Sequence, residues 1–268
     1  MIKPIIGILT AGVVLLGLSG HSTATPAAAP NIILILADDL GYGDIGVYGA
    51  SLIKTPHLDR LAGEGVRLTN FYASGNVCTP SRAGLLTGRY AIRDGLADKT
   101  ISVNDTRGLP ANTTTIAGML QQHGYRTALV GKWHLGHHTP AQRPNALGFD
   151  QFYGLLHPND VEQPLYRNRY ATGEAVEQGS LTRRFTEEAV SFIERNAQQP
   201  FFLFISHTAP HIPLVPSPAF TGTSQAGAYG DVVQELDWSV GQLLASIQRN
   251  GLTDDPDSSL RRNGPGRS

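Results

Sequence analysis

Residues 31–37 (Asn-Ile-Ile-Leu-Ile-Leu-Ala) form an unbroken apolar run of strand length that stops at two adjacent carboxylates, Asp38 and Asp39. A strand with one face in water alternates apolar and polar residues, whereas a run apolar at every position is the pattern of a strand covered on both faces, as in a parallel sheet. Residues 201–206 (Phe-Phe-Leu-Phe-Ile-Ser) repeat the pattern. Between and after these runs the spacing turns helical. Thr55-Pro56 caps a helix through Leu58, Leu61 and Ala62, with proline in the first turn where its missing N–H costs nothing. Ile116, Met119 and Leu120 place a helix over 113–123 that stops at Gly124, and 125–130 then reads as a strand. Residues 182–196 are again helical. Val233, Leu236, Val240, Leu243 and Ile247 step by three and four, giving one apolar stripe from 231 to 249 that Gly251 ends. Residues 66–73 also read as a strand, and 80–87 as a helix that begins right after Cys78. The stretch 137–181, rich in Pro, Asn and Gly, reads as loops and short elements around a site entrance. Strands alternating with helices imply an α/β fold, a mostly parallel central sheet flanked by helices.

The first thirty residues have the features of an export signal, with Lys3 as the basic segment, an apolar stretch over 5–18, and small residues at 22–24 and 27–29. That stretch is short for a membrane span and runs into Ser, Thr, His and Pro, so cleavage between Thr25 and Asn31 is expected rather than a stable membrane anchor. The expected organisation is a signal peptide at 1–29, one domain or most of one at 30–255 and a polar tail at 256–268, with a periplasmic or secreted mature chain. Net charge is -1 with nine histidines uncounted, so no global field argues for nucleic acid or a membrane surface, and any anion must be held locally.

An exported chain normally uses cysteines in pairs, yet Cys78 is alone. It opens the run Cys-Thr-Pro-Ser-Arg-Ala-Gly-Leu-Leu-Thr-Gly-Arg, 78–89. With Pro80 fixing the first turn, residue 78 is expected just before a helix N-terminus, where free N–H groups favour an anion, and Arg82, four residues on, can reach back toward it. Asp38 and Asp39 sit at the C-terminal end of the first strand, where open α/β sheets present ligand-binding residues. Two adjacent carboxylates repel unless something positive lies between them, which a hard cation such as calcium or magnesium would supply. Lys132 and His134, in Gly-Lys-Trp-His-Leu-Gly after a strand, point to one side if the segment is extended. His211, in Thr-Ala-Pro-His-Ile-Pro after the 201–206 strand, is expected in an extended loop held by flanking prolines. His207 nearby carries less weight, and His137 and His138 read as loop residues or substrate contacts.

The 78–89 run resembles the signature of the type I sulfatases, of the alkaline phosphatase-like superfamily. The Lys132-Trp133-His134 run is similar to that family's second signature, and Glu-Leu-Asp-Trp-Ser-Val-Gly around Asp237-Trp238 is also usual in it. The resemblance runs from about Pro30 to Asp255. It implies that Cys78 is oxidised by a maturation enzyme to formylglycine, whose hydrated aldehyde is the nucleophile. It also implies that Asp38, Asp39 and residue 78 bind a divalent metal, calcium before magnesium, and that Arg82 steadies the hydrate. Lys132 and His134 would act at the sulfate and nucleophile, and His211 would contact the sulfate and protonate the leaving oxygen. Asp237-Trp238 is assigned to packing and helix placement. The implied substrate is a sulfate-ester small molecule or a sulfated carbohydrate, with loops 142–148 and 158–169 selecting it.

The resemblance also implies a longer chain, in which an Asp-Asn pair after a further strand completes the metal site and a further lysine binds sulfate. Here 252–268 is polar, with Leu260 the one apolar residue after Leu252, and Arg262 stands where the aspartate would be before Asn263-Gly264. The chain is therefore expected to be truncated, marginally stable and of little activity as written. A phosphate or phosphonate monoester hydrolase of the same superfamily and a non-catalytic remnant stay open as alternatives.

Overall fold

The structure, a computed structural model, describes residues 29–253. The expected signal peptide, apart from its last residue, and the 256–268 tail lie outside the described residues. Within them, six strands form one sheet in the order β1-β6-β2-β3-β4-β5. Four of these are parallel: β1 (Ile32–Leu36), β6 (Phe201–Ser206), β2 (Arg126–Lys132) and β3 (Gln151–Leu155). The two-residue strands β4 (Tyr166–Arg167) and β5 (Tyr170–Ala171) add an antiparallel hairpin at the far edge.

Central position explains the uninterrupted apolar run of β6, since every one of its residues is buried. Phe202 and Phe204 face a core shared with α2 (Cys78–Thr87) and α3 (Ile116–Gln122), built around Ala83, Leu86, Phe149 and Phe152. Phe201, Leu203 and Ile205 face the other core, with Phe185, Ala189 and Phe192 of α4 (Leu181–Asn196) and Leu243 of α5 (Gly227–Arg249). Helices thus cover both faces of a parallel sheet, the layering that the alternation of runs predicted. The run at β1 is equally apolar, but its residues are only half-buried. It is an edge strand, paired with β6 on one side and with no strand on the other among the described residues.

Three local readings are corrected. Residues 66–73 form no strand and are exposed, Val66 at 86% and Tyr72 at 82%. Aromatic and β-branched residues favour a strand only where a neighbour offers a ladder, and none lies beside this segment among the described residues. Within 137–181, the loop-rich reading misses β3, because Gln151 and Gly154 break the apolar pattern. Gly154 is required there, as a Cβ on it would lie 1.9 Å from the Gly131 carbonyl oxygen across the ladder. Finally, α2 starts at Cys78 itself, with Val77 as the N-cap.

The first helix, α1 (Pro56–Glu64), has Thr55 at the N-cap position, but no hydroxyl cap bond forms there. The Thr55 hydroxyl instead accepts the Gly46 N–H at 2.7 Å and donates to Asp59 at 3.1 Å. The cap comes from α5: the Asp237 carboxylate accepts the N–H groups of Leu58 at 2.8 Å and His57 at 3.2 Å. Trp238 packs on Phe220, with ring centroids 6.1 Å apart. The Asp-Trp pair therefore fixes helix placement, as read from sequence. Replacing Asp237 by alanine should lower unfolding free energy by about 1–2 kcal/mol, the usual worth of an N-terminal cap. Urea denaturation of both forms measures it, and an unchanged midpoint would count against the capping role.

Candidate active site

The parallel strands all deliver their C-terminal ends to one edge of the sheet, and the site is built there. Asp38 follows β1, its N–H donating to the Ala209 carbonyl at 2.9 Å, with the residue 4% exposed. Lys132, the last residue of β2, donates from Nζ to Asp38 Oδ2 at 2.5 Å and to Cys78 Sγ at 3.2 Å. Arg82 lies one turn into α2 and donates from Nη2 to Asp38 Oδ1 at 2.9 Å and from Nη1 to the Lys132 carbonyl at 3.1 Å. The Ser206 hydroxyl at the end of β6 accepts from Arg82 Nη1 and donates to the same Lys132 carbonyl at 2.7 Å. One buried carboxylate thus holds two buried cations, leaving a positive balance beside residue 78.

Charge and burial set the protonation of this group. Burial raises the Asp38 carboxyl, but Arg82 and Lys132 outweigh it and hold it below the usual carboxylate range. Burial pushes the Cys78 thiol up, against the opposing pull of Lys132. A thiol in that position is a poor thiolate nucleophile near neutrality, since reactive cysteines have lowered values.

Asp39 adopts a left-handed backbone, φ 67°, and its side chain is 61% exposed. His211 Nε2 lies 3.8 Å from Asp39 Oδ2. The segment bearing His211 is a turn rather than the extended loop expected, closed by the His211 N–H on the Thr208 carbonyl at 3.1 Å. The His211 Nδ1 faces the Ile212 carbonyl at 2.6 Å, so Nδ1 carries the proton of the neutral ring and Nε2 is left to face the site. Ligating atoms of Asp38, Cys78 and His211 lie within 4.8 Å of one another.

The residues fit a hard divalent cation in part. Asp39 offers a carboxylate whose one ion-pair partner among the described residues is His211, and Asp38 retains lone pairs beyond its two ion pairs. Calcium takes six to eight oxygen ligands, so the pair supplies a fraction of a ligand set, and Cys78 contributes oxygen only once its sulfur is replaced.

His134 does not point with Lys132. Its backbone has left the strand, φ 57°, and its buried ring bonds through Nε2 to the Ile101 carbonyl at 2.8 Å. Burial, with Lys132 adding to it, drives its pKa down to about 3. Its carbonyl accepts the Thr79 hydroxyl at 3.0 Å, which in turn accepts the Ile101 N–H at 3.0 Å. His134 therefore stands behind the site and anchors the first turn of α2. His137 bonds to the Val103 carbonyl and packs on His157, with centroids 4.1 Å apart. His207 is buried against Ser239 at 3.2 Å, away from the ion-pair cluster. Ser206, Thr79 and Gly131 are positioning residues that the sequence reading did not single out. The signal available for Ser206 was its place as the polar end of an apolar strand.

Comparison with known proteins places the chain in a family. The sulfatase family model matches residues 30–255, and the chain belongs to the sulfatase family. It is 36% identical to human arylsulfatase D over 84% of this chain and 52% of that protein. A Bacteroides thetaiotaomicron structure, reported with the metabolism of multiple glycosaminoglycans by that organism, superposes with a TM-score of 0.78 at 32% identity, covering 84% of this chain and 60% of the other. A second structure, solved with its substrate D-glucosamine-2-N,6-O-disulfate, has a TM-score of 0.60 at 33% identity over 72% of this chain and 37% of that one. The chain spans about half the length of the curated relatives it matches.

Two predictions follow from how the site is held. Gly131 has φ 113°, and a Cβ there would sit 1.9 Å from the Ser206 carbonyl oxygen. Gly131→Ala should therefore cost about 3 kcal/mol or more, combining a left-handed penalty with a backbone clash; thermal unfolding within a degree of the parent would refute it. Burial lowers the His207 pKa from 6.5 to about 4. The folded state keeps this ring neutral while the unfolded chain protonates it, so its stabilising contribution is full above pH 6.5 and lost as pH falls toward 4. His207→Gln should flatten the acid limb of a stability profile over that window, by an amount on the order of 3 kcal/mol.

Proposed function

We propose that the chain carries the reaction centre of a sulfuric ester hydrolase whose nucleophile is made from Cys78. The observation that supports it most is the three-way contact of Lys132 with Asp38 and Cys78, with Arg82 beneath. It sets a small side chain at a helix N-terminus in a positive, partly buried setting, the requirement for drawing a sulfate oxyanion to that residue. The raised thiol pKa argues in the same direction, because an unmodified thiol there would be a weak nucleophile.

When residue 78 is formylglycine, its hydrate offers one hydroxyl to attack sulfur and a second through which sulfate leaves as the aldehyde re-forms. Asp38 and Asp39 would hold a divalent cation, calcium before magnesium, that draws charge from the sulfuryl oxygens. Lys132 Nζ, already at the residue 78 side chain, neutralises charge on the nucleophile and the sulfuryl group. Arg82 keeps Lys132 and Asp38 in register through the Lys132 carbonyl and the Asp38 carboxylate. His211 Nε2, 3.8 Å from Asp39 Oδ2, delivers a proton to the leaving alcohol oxygen. His134 fixes the α2 turn that presents residue 78. The substrate class is a sulfate ester on a small molecule or a carbohydrate, in keeping with the sulfated sugar bound by a relative. Export directed by residues 1–29 and oxidation by a maturation enzyme complete the reading.

Peptide mass spectrometry after coexpression with a formylglycine-generating enzyme should find residue 78 converted, and a fully unmodified thiol would overturn the proposal. In the chain, or in a longer protein containing it, Lys132→Ala should lower aryl sulfate hydrolysis on the order of a hundredfold or more. An equal rate for a matched phosphate ester would shift the assignment to phosphoryl chemistry.

A further inference from the structure

A cavity of about 1000 Å3 opens beside the His211 turn, with Ile212 and Pro213 forming one wall. The cavity therefore begins one residue from the imidazole assigned to the leaving group. Its other walls come from the segment 159–164, which follows β3, and from 174–178, which leads into α4. These are loop residues, yet they are cross-tied. Asn159 Nδ2 donates to Gln178 Oε1 at 3.0 Å, Gln178 Nε2 donates to the Asn159 carbonyl, and Gln163 accepts the His157 N–H at 2.9 Å. The wall is built before any ligand arrives.

Its charge is opposite to that of the centre. Asp160, Glu162 and Glu174 line it, and no lysine or arginine does. Glu174 is paired with Arg184, while Asp160 and Glu162 make no ion pair among the described residues. A second observation points to a ligand. Asn159 is 6% exposed, lines the cavity, and its Oδ1 accepts no hydrogen bond, although a buried acceptor without a donor is costly. The Asn159 amide would have to turn toward the cavity for an incoming hydroxyl or amine to supply that donor.

We infer that this cavity receives the part of the substrate beyond the sulfate ester and selects a neutral or amine-bearing sugar, excluding one with a second sulfate there. The inference rests on the sulfatase reading for the position of the ester itself. Sulfate is drawn to Lys132 and Arg82, and the remainder of the ligand meets carboxylates and amide acceptors. A sugar with one sulfate matches both ends, whereas a second sulfate placed among Asp160, Glu162 and Glu174 is repelled.

Calorimetric titration of the protein with glucosamine 6-sulfate and with glucosamine-2-N,6-O-disulfate tests this, with nitrophenyl sulfate as a ligand that carries neither an amine nor a second sulfate. The monosulfate should bind roughly tenfold or more tighter than the disulfate. The double variant Asp160→Asn, Glu162→Gln, both at exposed positions, should bring the two sugars to within about threefold and leave nitrophenyl sulfate unchanged. Asn159→Ala should weaken the monosulfate alone. Disulfate binding as tightly as monosulfate, a preference that survives the double variant, or binding of neither sugar would overturn the inference. Failure of the sulfatase reading shows separately, as an unmodified residue 78 and no binding of nitrophenyl sulfate.

Discussion

The buried Asp38 carboxylate, holding Lys132 and Arg82, is the interaction on which the site depends. Each partner arrives on a different element: Asp38 after β1, Lys132 at the end of β2, Arg82 from α2. The serine that completes the group ends β6. The contacts thus lock three strands and a helix together at the sheet edge where the reaction would occur. A buried ion triad of this kind is not a cheap source of stability, because desolvation offsets much of the attraction. Losing any one member, however, leaves an uncompensated charge in a dry environment, at a cost of about 3–5 kcal/mol. The arrangement is better understood as a positioning device that keeps residue 78 beside a fixed ammonium.

Close approach of the backbones makes that device possible. Gly131 stands opposite Ser206 on one neighbour and Gly154 on the other, so a row across the sheet carries little side-chain bulk. Within that row the strands sit near enough for the Lys132 carbonyl to collect both Arg82 and Ser206. Beyond the row, His134 leaves the strand and turns inward to Ile101, and Thr79 ties its carbonyl to the first turn of α2. The Thr79 hydroxyl and the His134 carbonyl hold that turn, while His134 Nδ1 is left buried without a hydrogen-bond partner.

Polarity then divides the surface around the site. The floor is cationic, while the wall beyond the His211 turn is acidic and amide-rich. Such a division gives orientation as well as affinity, since a ligand with one anionic end is favoured in one direction only. Asp39 and His211 lie at the boundary, with His211 Nε2 3.8 Å from Asp39 Oδ2.

Much of the layering was legible in the residues. The unbroken run at 201–206 is a strand buried on both faces, and the stripe of Val233, Leu236, Val240 and Leu243 is a helix against the sheet, because burial periodicity is a local property of the chain. The motifs of Cys78, Arg82, Lys132 and Asp38 pointed to one place, and those four side chains do meet; part of the 158–169 loop lines the neighbouring cavity. Contacts between distant segments were not. The sequence could not place His134 behind the site, because its backbone conformation is set by Leu156 and Ile101 rather than by its neighbours. Nor could it show that Asp237 caps a helix nearly 180 residues earlier, that 66–73 would find no strand to pair with, or that β1 would be an edge. By itself the sequence determined which segments must be covered and which residues form the family's motifs. Only the tertiary structure decided which charges meet, since Asp38 finds its cations 44 and 94 residues away and a local pattern holds no information at that range.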